Sequence, residues 1–193
     1  LILETPRRGL ALGKKVKFHK RFMQVVREYH GYLFSWAIIY TFWYHPMENT
    51  FGHLAGFFYI FLLLAQSVLL FNRAHLNKYW TFLLEAFVLI HGTLVAISQA
   101  NGIWPMFAFG FGAMIVLTQM YGIGLNTWVR RALAVSFVIG VSLFYTLSGN
   151  LAGLNEVIRI PFIDYLLIGL LYLIFLGING VVSLISRKST QAS

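Results

Sequence analysis

No cysteine occurs in this 193-residue chain, which removes disulfides, thiolate metal sites, iron–sulfur clusters and thiol catalysis together. Charge is scarce, since Asp, Glu, Lys and Arg make up only 11% of the residues. Acid is scarcer still, with six Asp and Glu against fifteen Lys and Arg. The short alternating segments of a transmembrane β-barrel are missing. So are a zinc-protease HExxH, a GxSxG nucleophile elbow, a glycine-rich phosphate loop and the dense histidine boxes of membrane di-iron enzymes. No folded basic module suggests nucleic acid as a partner.

What remains is 59% hydrophobic and 17% aromatic, with a mean hydropathy of +0.72, outside the range of a domain with a wet surface. The apolar runs of roughly 20 residues each match a hydrocarbon core of about 30 Å crossed as α-helix. The expected fold is an all-α polytopic membrane protein, one bundle of six transmembrane helices. Residues 1–22, with Arg7, Arg8, Lys14, Lys15, Lys17, Lys20 and Arg21 against Glu4, read as a basic arm at the interface, binding anionic lipid headgroups. The transmembrane domain covers 23–186, with spans near 23–43, 46–71, 79–98, 103–124, 128–147 and 161–186, and 187–193 form a polar tail. The second span starts at Pro46 or Phe51. Nearly every Lys and Arg then falls on one side, so the positive-inside rule places both termini in the cytoplasm. The expected location is a bacterial inner (plasma) membrane. Because the chain opens on Leu1, whether residues precede it is left open. In the second half, small residues such as Gly110, Gly112, Gly140, Gly169, Gly177 and Gly180 recur near every fourth position, a spacing that lets helix backbones approach.

Ionisable groups inside such spans are costly and each asks for a partner. Toward the cytoplasmic side, Arg27, Glu28 and His30 on the first span and Glu85 on the third lie at similar depth, about 10 Å in for His30 and Glu85 at 1.5 Å per residue. Arg27 or His30 is the expected counter-charge of Glu85, forming either an ion-pair lock or a polar path. Asp164 is expected to pair with Arg159, and Asn179 to bond a neighbouring helix. Toward the outer side, the turn HPMENTFGH supplies His45, Glu48 and His53. If the second helix starts at Pro46, His53 lies about 10 Å below the outer end, level with His91 on the third span.

Three occupants of that outer cluster compete. His53 and His91 suit the axial positions of a b-type haem, which needs two imidazoles across an apolar slot. His45, Glu48, His53 and His91 together suit a transition-metal ion. With neither, the histidines bond other helices. The first expectation is accordingly a redox protein exchanging electrons with a quinol or a membrane-protein partner. The alternative is a small transporter or non-catalytic subunit using the Arg27, Glu28, His30 and Glu85 path. A third is a metal-dependent enzyme acting on lipid. The pattern identifies no catalytic residue.

Overall fold

A helix leaves its first N–H groups without intrahelical acceptors, and side-chain oxygens at the N-cap supply them. In the computed structural model, which describes residues 1–44, 49–100 and 102–191, polar caps start three of the long helices. The Thr50 hydroxyl accepts from the N–H of His53, Asn77 from Tyr79 and Trp80, and Asn126 from Val129. Glycines with positive φ, Gly102, Gly124 and Gly149, stand in the connections that follow helices, where left-handed backbone costs them little.

In chain order the elements are α1 (Thr5–Arg8), α2 (Lys20–Tyr44), α3 (Phe51–Val68), α4 (Lys78–Ser98), α5 (Trp104–Met114), α6 (Met120–Gly122), α7 (Thr127–Leu147) and α8 (Glu156–Gln191). Short 3-10 turns at Leu69–Phe71, Arg73–Leu76 and Leu151–Asn155 join them, and a π turn at Ile115–Gln119 links α5 to α6. No strand occurs among the described residues. Among the described residues, five stretches are long and apolar enough to cross a membrane: Phe51–Val68, Lys78–Ser98, Trp104–Gly122, Thr127–Leu147 and Leu151–Ile185. The six expected spans thus become five on this measure. The helix left out is α2, whose Arg27, Glu28 and His30 offset the apolar residues around them.

Packing is centred on α5, which lies between α4 and α8, while α3 covers the other side of α4. Close approach is built from two glycines. A Cβ on Gly110 would stand 2.8 Å from the Ile160 side chain and one on Gly112 2.9 Å from Phe137, so α8 and α7 come nearer α5 than any larger residue permits. Four other glycines of the expected small-residue scaffold are not used in this way: among the described residues no heavy atom lies within 4 Å of a Cβ built on Gly140, Gly169, Gly177 or Gly180. Large apolar side chains such as Phe162, Leu166 and Leu173 on α8 point outward, an arrangement that lipid tolerates and water does not.

Within residues 1–22, expected to form a basic arm at the interface, residues 1–14 fold into one end of the bundle. The Leu12 N–H donates to the Leu117 carbonyl at 2.7 Å within the π turn, and the Tyr165 hydroxyl donates to the Leu10 carbonyl at 2.6 Å. A tight turn between Ala11 and Lys14 reverses the arm. Its Gly13 has φ +75°, and a Cβ there would meet the Tyr121 ring at 2.6 Å. Beyond it, Lys14, Lys15, Lys17, Lys20 and Arg21 stay exposed.

Candidate functional site

The arm carries Arg8 into the bundle, where only 1% of it is exposed. A guanidinium so placed must meet an anion or pay its full desolvation. It meets Glu85 of α4, with Nη1 donating to Oε2 at 2.7 Å. The same Oε2 accepts from Nε2 of Gln119, the last residue of the π turn and itself 1% exposed. A π turn holds one residue more than an α turn and often occurs at functional sites. Here it aims the Gln119 amide at α4 while Thr118 back-bonds to the Met114 carbonyl at 2.8 Å. Next to Arg8, the Arg7 guanidinium pairs with Glu4 and donates to the Gly122 carbonyl and the Thr81 hydroxyl, both at 2.9 Å. One arginine thus ties the arm to the bundle rim and the other enters its interior.

These groups face a cavity of about 350 Å³ between α4, α5 and α8. Its walls are mostly apolar, including Val88, Phe111, Ile115 and Leu167, and its polar side chains are Arg8, Glu85, Gln119 and Asp164. Asp164 enters it from α8 rather than pairing with Arg159, which bonds Asn155 on its own helix turn at 3.1 Å. Glu85 keeps 42% of its side chain accessible, so its carboxylate is not sealed by Arg8. Nε of Arg8 and Oε1 of Gln119 are buried without a hydrogen-bond partner among the described residues. The cavity therefore presents two carboxylates, set against the Arg8 guanidinium and the Leu1 amino group at its wall.

Of the residues marked from the sequence, Glu85 is in this site, but its counter-charge is not the expected one. Arg27 and Glu28 are exposed on α2, and the His30 ring bonds the Arg27 carbonyl of its own helix at 2.7 Å. Arg8 supplies the charge because the arm folds inward. Asn179 bonds the Arg21 guanidinium at 3.1 Å.

At the other end, His45 and Glu48 lie outside the described residues. Because α3 starts at Phe51, His53 sits in its first turn, its Nδ1 sharing a 2.7 Å hydrogen bond with the capping Thr50 hydroxyl. Gly52 packs on Val95 and Ser98 of α4, whereas the His91 ring lies 6.1 Å from that of Tyr59. His91 is therefore about one turn, roughly 5 Å, deeper than His53, and the level pair expected from a Pro46 start is displaced. No group of three or more His, Asp or Glu side chains able to hold a metal ion occurs among the described residues.

The sequence reasoning passed over Arg8 and Gln119. For Arg8 a signal existed: Gly9 and Gly13 bracket a turn that separates Arg7-Arg8 from the lysine run. Comparison with family models, with curated proteins and with solved structures found no match to this chain.

Proposed function

We propose that this chain is an integral membrane protein of the transport class, in which Glu85 and Asp164 take up a proton or a cationic group inside the bundle. The observation that carries the reading is the charge arrangement of the cavity. Arg8 binds Glu85, whereas Asp164 faces the same cavity with no ion pair among the described residues, the Leu1 amino group being the other cation at its wall. A carboxylate among leucine and phenylalanine side chains is costly until a proton or cation joins it. Glu85, 42% accessible, and Asp164 on the cavity wall supply the directional contacts a bound polar group needs.

In this reading α2 is a sixth crossing. Its start packs against Tyr172 and Phe175 of α8, and its far end leads to α3, whose Gly52 lies against Ser98 at the opposite end of α4. Six crossings put Lys78, Arg130, Arg131 and the basic arm on one side, cytoplasmic by charge bias, with the exposed lysines on anionic headgroups. A haem between His53 and His91 is supported by no comparable arrangement, since the two residues stand a turn apart.

The test is charge displacement on a solid-supported membrane. Proteoliposomes of the wild-type chain subjected to a pH jump should give a transient current, and Glu85→Gln combined with Asp164→Asn should abolish it. A current equal in the two proteins, or none in the wild type, overturns the proposal. An absorption spectrum of the same protein with a Soret band lost in His91→Ala would favour the haem reading instead.

A further inference from the structure

We infer that the open face of α2 is the contact surface for a second copy of this chain, the two α2 helices lying parallel and side by side. Near the start of α2, Phe22 is buried between Tyr172 and Phe175 of α8 with ring centroids 5.1 and 5.2 Å away, and α2 also packs against α3. Further along, Tyr32 and Trp36 are 76% and 61% exposed and Trp43 72%. Arg27 and Glu28 are exposed as well, and neither belongs to an ion pair among the described residues.

Facing lipid alone, this surface leaves opposite charges about 6–8 Å inside the hydrocarbon boundary, together with phenol and indole groups that require acceptors. These charges also lower the hydropathy of α2, which falls outside the set of five apolar spans found among the described residues.

The charges choose the occupant. Copies inserted in one membrane share an orientation, so a two-fold axis along the membrane normal sets the two α2 helices parallel, with each residue level with its own counterpart. Arg27 of each copy then stands within one residue rise, about 1.5 Å, of the level of Glu28 of the other. The two contacts are equivalent by symmetry and carry no net charge. Gly31 and Ser35 follow Arg27 at intervals of four, and among the described residues no heavy atom lies within 4 Å of a Cβ built on Gly31, so the backbones are free to close. An aliphatic lipid satisfies none of these polar groups.

The inference rests on α2 crossing the membrane and is independent of the cavity carboxylates. Because the chain has no cysteine, Ser35→Cys reports the contact directly. Oxidation in lipid vesicles should give a disulfide-linked dimer, whereas Val135→Cys on the exposed face of α7 should not. Arg27→Glu or Glu28→Arg should each suppress the dimer, and the two together should restore it. A wild-type chain that is monomeric in nanodiscs by native mass spectrometry overturns the inference, as does a cross-link indifferent to either reversal. A stable complex with some other membrane protein and no self-association overturns it too. Labelling of Ser35→Cys by a membrane-impermeant maleimide would show instead that α2 does not cross, an outcome distinct from loss of the dimer.

Discussion

Arg8 is the residue on which the arm, the cavity and the charge balance meet. Removing one partner of a buried ion pair leaves the other uncompensated, which costs about 3–5 kcal/mol when both are fully buried. Glu85 is 42% accessible and is partly relieved by solvent, so the lower end of that range applies to Arg8→Ala, about 3 kcal/mol. Arg8→Met combined with Glu85→Gln should recover most of the loss, since an apolar or neutral pair avoids the desolvation penalty. Unfolding in mixed micelles measures both, and additive losses would show that Arg8 and Glu85 do not act as a pair. Glu85 was legible in the sequence because a carboxylate within an apolar run stands out. Arg8 was not, because cations at a span's edge are read as held by headgroups, and that rule carries no information about a chain that turns back inside. Asp164 was visible, but a sequence neighbour, Arg159, was the wrong guide to a side chain that points across the bundle.

At the scale of elements, the long apolar helices were legible because lipid leaves an unpaired backbone few alternatives to helix. The π turn at Ile115–Gln119 was not, since one extra residue in a turn leaves apolar periodicity unchanged to the eye while rotating every later side chain by about 100°. The start of α3 had the same importance for the histidines. A helix beginning at Pro46 makes His53 and His91 level, whereas one capped by Thr50 places Gly52 against Val95. Paired cysteines decide the register. Gly52→Cys with Val95→Cys should form a disulfide readily, because the introduced Cβ lies 3.1 Å from the Val95 Cα and needs only a small relaxation toward normal bridge geometry. His53→Cys with His91→Cys should not cross-link, being offset by about one turn. Mobility on a non-reducing gel distinguishes them, and efficient linkage of the histidine positions would restore facing imidazoles.

For the whole molecule, the arm is folded into one end of the bundle by a small number of contacts. Arg7 and Arg8 bind the rim and the interior, Leu12 pairs with the π turn, and Gly13 fits under Tyr121 only because it has no Cβ. Such a segment opens locally at a free energy below that of global unfolding. If the Arg8–Glu85 pair contributes about 3 kcal/mol to the closed state, losing it raises the open fraction by roughly 100-fold. Ile168, on the cavity wall and 9% exposed, is a suitable reporter in a cysteine-free background. Ile168→Cys should react slowly with a small thiol reagent while the arm is seated, and far faster when Arg8→Ala is added. Gly13→Val should act in the same direction without touching any charge, because the new side chain collides with Tyr121 and requires a strained φ. Acceleration by Arg8→Ala alone would place the effect in the cavity's electrostatics, and acceleration by both variants places it in the seating of the arm. Equal reactivity in all three proteins would mean that the cavity is reached by another route and that the arm does not close it.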